Sequence, residues 1–274
     1  MTQLRRGKIL SALGLNKAHT VLFLKRSYTP KDVLLIKGLS ILAEVCPSIA
    51  QEDNRAALIP TVLAQPKPKH ERNPGRIPTK QNMRSAMKWL VQDCQPGDSL
   101  FFHYSGHGLR QKDYNLDEID GFDEAICPID FETEGPIIDD EINATIVRTL
   151  PRGVKLHAVI DTCFSGTVLD LLFMYRIISR EGHYQREYQR SPAAVRKKGT
   201  SGGIAISFSA CDDHQTSASA SAFTGKVTGV MTSSFIQAVQ NEPGSTYGRL
   251  LNAMHYIIPS LVLYDETVKL QCTT

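Results

Sequence analysis

The sequence predicts an α/β domain with a mainly parallel central sheet and helices on both faces. Three observations lead there. The runs FFHY, LHAVI and IAISF are short and nearly continuously apolar, which suits strands buried on both faces. Stretches of helical period alternate with them. The 274 residues are enough to bury one large core.

Taken in order, residues 1–78 form a divergent basic segment. Within it TVLFLK reads as a strand, VLLIKGLSILAEV as a helix or strand, and PKPKHERNPGRIP as an extended connector. Residues 79–274 carry the regular pattern. A helix is expected over 81–93, then strand SLFFHY, an acidic loop, strand KLHAVI and a helix over 168–179. The stretch EGHYQREYQRSPAAVRKKGTSGG is polar and rich in basic residues, with Gly and Pro, and reads as an exposed loop. Strand GIAISFSA follows, with helices over 231–240 and 247–258. The loop divides this part into a larger half, 79–180, a linker, 181–202, and a smaller half, 203–274.

The net charge of +3 conceals an asymmetry: residues 1–80 carry 14 Lys and Arg against 5 Asp and Glu, so the remainder is acidic. The basic charges are scattered and not interleaved with aromatics, so they read as a solvated surface rather than a nucleic-acid interface. Six cysteines show no CxxC pair and no zinc spacing, which points to free thiols in a reducing compartment, cytoplasm or nucleus. The start, MTQLRRGKILSALGL, lacks a sustained apolar region and a small-residue cleavage site. It does not read as a secretory leader, although the scarcity of acidic residues leaves an organelle transit sequence open. No run is long enough to span a membrane, and a monomer is the expectation.

Two motifs carry chemistry. Strand LFFHY runs into Ser105-Gly106-His107-Gly108, and strand LHAVI into Asp161-Thr162-Cys163-Phe164-Ser165-Gly166. In a parallel sheet both emerge at the carboxyl edge, where open α/β sheets keep their crevice. A thiolate beside an imidazole is what acyl transfer needs: one attacks, the other takes and returns the proton. Backbone N–H groups of Gly108 and Cys163 are candidates for the oxyanion. Singly, Cys163 reads as a packed strand-end thiol and His107 as a turn residue; paired at glycine-flanked strand ends, they read as nucleophile and base. Asp161, two residues before Cys163, lies on the same strand face, either as a carboxylate toward a basic substrate or as a cap for the following helix. His103 and His157 lie inside apolar strands and read as hydrogen-bonded core residues, and Cys127 and Cys211 as structural thiols.

HYSGHG followed by DTCFSG resembles the paired signature of the metacaspases, relatives of the caspases, and the similarity runs over about residues 79–255. The layout resembles the type I branch, with plant-like motif wording. The resemblance implies a caspase-like sandwich and a cysteine endopeptidase with His107 and Cys163 as its dyad. It also implies cleavage after Arg or Lys, with Asp161 and Ser105 at the specificity pocket. Protein or peptide substrates with those residues are the implied partners. A role in regulated cell death or stress proteolysis goes with the family.

The acidic segment DYNLDEIDGFDEAICPIDFETEGPIIDDEI is not an EF-hand, because neither Gly121 nor a terminal Glu falls where that loop requires it. Zinc is disfavoured by the lack of clustered Cys and His. The residues alone leave open a solvated acidic loop with Asp139 capping the next helix. Resemblance to the family's calcium site implies Asp123, Asp139, Asp140 and Asp170 as ligands, with Ca2+ as an activator that orders loops. Arg186, Arg190, Arg196, Lys197 and Lys198 of the exposed loop are candidate self-cleavage residues.

Residues 1–78 do not resemble the family, which opens its core with a strand and a loop supplying another acidic residue to the pocket. TVLFLK is a candidate for that strand, and Asp32, Glu52 and Asp53 are the acidic residues to test. The tail PSLVLYDETVKLQCTT also departs. The alternative function is therefore an inactive or weakly active metacaspase-like regulatory protein with an incomplete pocket.

Overall fold

The computed structural model describes residues 20–26, 61–64, 77–115, 118, 120–177, 184–188, 198–209, 230–241, 246–261 and 269–273. Among these, eleven strands fall into two sheets. The first holds β1 (Thr20–Arg26), β2 (Thr61–Ala64), β3 (Ser99–Ser105), β7 (Lys155–Asp161), β8 (Phe173–Ile177), β9 (Tyr184–Tyr188), β10 (Ile204–Ser209) and β11 (Lys269–Cys272). The second holds β4 (Gly108–Lys112), β5 (Phe122–Ile126) and β6 (Ile137–Ile138).

The large sheet runs β2-β1-β3-β7-β10-β11-β8-β9. Its centre, β3-β7-β10, is parallel. The strands added outside this centre each pair antiparallel with their neighbours, leaving five of the eight strands pointing one way.

The apolar runs become central strands because both faces are covered. Along β3, Leu100, Phe102 and Tyr104 join one core with α1 (Lys80–Val91). The intervening Phe101 joins a second core with α4 (Val230–Asn241) and α5 (Tyr247–Leu261). β7 divides likewise, Leu156, Ala158 and Ile160 to the first core and Val159 to the second. This is period-2 alternation with both sides apolar.

α1 starts where Thr79 accepts a hydrogen bond from the Asn82 N–H at 3.2 Å. Its buried Met83, Ala86, Met87 and Leu90 follow the i, i+3, i+4, i+7 stripe. Leu90→Ala would cost about 2–5 kcal/mol.

Two local expectations are corrected. The helix expected over 168–179 is absent from its described part, 168–177: Val168, Leu169 and Leu171 enter the core in irregular backbone, and β8 follows. The loop 181–202 contains strand β9, paired with β8 from Phe173↔Tyr188 to Ile177↔Tyr184. The tail supplies β11 beside β10. The strand expected in TVLFLK is present as β1, antiparallel to β3. Residues 27–60, with Asp32, Glu52 and Asp53, lie outside the described residues.

Candidate active site

β3 and β7 leave the sheet side by side. Their register ends at Ser105↔Asp161, and one residue further the Gly106 N–H donates to the Asp161 carbonyl at 3.3 Å. His107 follows immediately on one chain and Cys163, two residues on, on the other. The His107 backbone is held: its carbonyl accepts the Cys127 N–H at 2.9 Å and the Tyr104 hydroxyl at 2.8 Å. Its side chain is buried, while Cys163 is half-buried.

Gly108 shows how closely the two turns approach. A methyl at its α-carbon would lie 2.1 Å from the Cys163 carbonyl oxygen and 2.7 Å from Thr162 Oγ1. Only glycine fits there, because the nearer obstacle is backbone. The flanking glycine thus admits the partner turn. Phe164, directly after Cys163, has φ of +55°, a left-handed conformation unusual for a bulky side chain and a sign of a tightly constrained turn.

Asp161 is buried, and its Oδ2 accepts the Thr232 N–H at 2.8 Å and the Thr232 hydroxyl at 2.6 Å. It caps the start of α4, where a carboxylate also meets the positive end of the helix dipole. The cap therefore belongs to a helix far along the chain, not to a helix following Cys163. Thr232 Oγ1 also lies 3.2 Å from His103 Nε2. Burial pushes the His103 pKa down to about 3, so its imidazole is neutral at physiological pH. His157, beside Tyr247, is pushed down to about 4 by burial and by Lys155. Ser105, half-buried, shares a register position and sheet face with Asp161.

Cys127 lies close enough to Cys163 for the two to interact. Burial first, and the Cys163 charge second, push its pKa up to about 12. It stays a thiol, leaving Cys163 as the accessible member of the pair. Cys211 lies outside the described residues.

The acidic residues gather beside this edge. Two short helices follow β5, α2 (Phe131–Glu134) and α3 (Asp139–Ile142), and α3 continues into a π-helical turn through Val147. Asp139 and Asp170 are fully buried, and with Glu118 they bring three carboxylate oxygens within 4.8 Å of one another. Glu118 was not among the sequence-derived ligands; its signal was an acidic run too rich in carboxylates to single one out. Asp140 joins through Lys198, whose Nζ lies 2.5 Å from Asp140 Oδ1, 3.8 Å from Glu118 Oε1, and in a short contact with Asp170 Oδ2. Asp123 is buried nearby but outside the three-oxygen group; its Oδ2 accepts from the Gln111 amide at 3.3 Å.

Burial raises the Asp139 pKa well above the carboxylate range. Glu118 adds to the rise, and Lys198 with the Glu124 and Asp140 N–H groups opposes it. Asp123 is raised by burial, and by Asp113 and Asp140. Both shifts come first from burial and then from neighbouring carboxylates, with Lys198 opposing them. All donors are hard oxygens, and two oxygens on opposite sides of a calcium ion lie about 5 Å apart. The residues fit calcium and lack the ligands zinc prefers.

Two contacts join this cluster to the Cys163 loop. Thr167 donates to Glu124 Oε2, and Glu124 Oε1 receives Arg110 Nε at 3.1 Å. The Asn143 amide lies 3.0 Å from the Leu169 carbonyl, 3.1 Å from that of Asp170 and 3.3 Å from that of Lys198.

Of the candidate self-cleavage residues, Lys198 is a correction. It is only 5% exposed and its ammonium is engaged, so it does not present an accessible bond. Arg186 lies in β9, not in a free loop. Arg190, Arg196 and Lys197 lie outside the described residues.

A cysteine and a histidine set by adjacent parallel strands at one sheet edge, within an α/β sandwich, define the class of caspase-like cysteine peptidases. Residues 50–172 match the metacaspase, peptidase C14 domain. The match begins ahead of residue 79, where the recognisable motifs start. Metacaspase-1 of Arabidopsis thaliana is 61% identical over 191 residues, covering 69% of this chain and 51% of that protein. Metacaspase-3 of the same plant is 60% identical over 185 residues, covering 67% and 50%. Metacaspase-1 of Cryptococcus neoformans is 40% identical over 219 residues, covering 67% and 48%. The chain spans about half the length of these curated relatives. Among solved structures, a Geobacter sulfurreducens protein of 22% identity overlaps with a TM-score of 0.46, covering 73% of this chain and 75% of its own. Over about two thirds of its length the chain is similar to metacaspases, and residues 50–172 carry the match to their peptidase C14 domain.

Proposed function

We propose that this protein is a calcium-activated cysteine endopeptidase that cleaves after Arg or Lys. The observation that carries the reading is the juxtaposition of the two strand ends, with Gly108 packed against the Cys163 carbonyl. Cys163 attacks the substrate carbonyl as a thiolate, and His107 takes its proton and returns it to the leaving amine. Water then releases the acyl group. The N–H groups of Gly108 and Cys163 face the developing oxyanion. Asp161, steadied by Thr232, and Ser105 form one wall of a pocket for a basic side chain.

Asp139, Asp140, Asp170 and Glu118, with Asp123 behind them, would hold the calcium, which supplies charge neutralisation at loops adjoining Cys163. The links through Thr167 and Asn143 support an ordering role. Self-processing within 178–197, most simply at Arg190, Arg196 or Lys197, fits the same specificity. A monomeric cytoplasmic or nuclear enzyme of stress proteolysis or regulated cell death completes the reading.

The test is hydrolysis of a fluorogenic peptide with Arg at the cleaved position, with and without millimolar calcium. Calcium-dependent turnover lost in Cys163→Ala supports the enzyme. Absence of turnover from a folded chain would instead favour a regulatory protein.

A further inference from the structure

The acidic cluster contains its own cation. Lys198 is a lysine buried to 95%, and a buried ammonium is costly unless paired. Its partners are Asp140, Asp170 and Glu118, three of the carboxylates suited to a divalent ion. A calcium ion needs six to eight oxygens around it. Those oxygens cannot also surround an ammonium within 2.5 Å of Asp140, and two positive charges at that range repel.

Building on the calcium reading above, we propose that Lys198 is an internal counter-ion that competes with calcium and sets the affinity of the site. Two states follow. In one, the ammonium bridges Asp140, Asp170 and Glu118. In the other, calcium takes those oxygens and the Lys198 side chain swings out. The Lys198 backbone stays tethered, because its carbonyl is held by Asn143 rather than by the carboxylates. The exchange therefore moves a side chain without dismantling the turn. Calcium must therefore outcompete a tethered ligand of high effective concentration.

The test uses the full chain carrying Cys163→Ala, so that processing does not confound binding. Calcium affinity is measured by titration calorimetry, with magnesium as control, for Lys198 and for Lys198→Met. In parallel, lysine acetylation of the Lys198 form is mapped by mass spectrometry with and without calcium. The expected result is calcium binding about tenfold tighter in Lys198→Met, with Lys198 protected without calcium and acetylated with it. Equal or weaker binding in a folded Lys198→Met, or Lys198 equally protected in calcium-saturated protein, would overturn the competition and leave the calcium site standing. Absence of calcium binding in both forms would overturn the site itself and the competition with it. The acetylation measurement decides the matter without any change at position 198.

Discussion

The strand-end turns around His107 and Cys163 and the carboxylate cluster around Asp139 are neighbours, yet they are built on opposite principles. The first is a backbone construction. Its geometry comes from parallel register, from the Gly106 N–H on the Asp161 carbonyl, and from a glycine with no room for a methyl group. The second is a charge construction, in which buried acids repel one another and one lysine holds them together. The first region is therefore organised by folding itself, whereas the second is held in this structure by the Lys198 ammonium.

The largest test of that contrast is Gly108→Ala. The added methyl collides with the Cys163 backbone, and displacing a reactive group by about 1 Å costs roughly 100-fold in rate. We expect kcat to fall by about that much whatever the calcium concentration, and the melting temperature to drop. Unchanged kcat would mean that the two turns are not rigidly apposed.

Asp139→Asn tests the other side. Because the folded pKa of Asp139 is raised, the native state holds a proton that the unfolded state gives up. Its contribution is thus present at low pH and is lost as pH rises above the ordinary carboxylate value of about 4. Denaturant unfolding across pH, without calcium, should show this decline, and Asp139→Asn should remove it. Calcium should flatten it too, since binding holds the carboxylate ionised. A slope insensitive to both would sink the description of the cluster as charge-strained.

His103 should sharpen the comparison in the opposite pH direction. Its folded pKa of about 3 means that the unfolded state takes up the proton first. Stability therefore falls as pH drops below about 6.5, down to about 3. His103→Asn should reduce that acid loss without altering calcium affinity. The smallest effect is expected for Thr232→Val, which deletes one of the two Thr232 donors to Asp161 and should cost about 1–3 kcal/mol. If Asp161 lines the pocket, KM for an Arg substrate should rise more than kcat falls.

The same contrast separates what was legible in the sequence from what was not. β3, β7 and β10 were legible because full burial leaves a continuous apolar run, and α1, α4 and α5 because their stripes keep a helical period. The run VLDLLFMYRIIS was misread as a helix. It becomes irregular core and then β8, because β9 and the distant β11 offer it strand partners, and tertiary pairing overrides local propensity. HYSGHG and DTCFSG made the candidate site legible, since glycine beside a cysteine or histidine marks a backbone constraint that is local in sequence.

By itself, then, the sequence determined the central strands, their covering helices, the His107 and Cys163 pair and an excess of acid between them. Only the tertiary structure decided that Asp161 caps α4, that Glu118 joins Asp139 and Asp170, and that Lys198 is a buried counter-ion rather than an exposed basic residue. Periodicity and glycine spacing record interactions between near neighbours in the chain. Hydrogen bonds and ion pairs across the fold leave no periodic trace, because any lysine can reach any carboxylate that folding brings within a few ångströms of it.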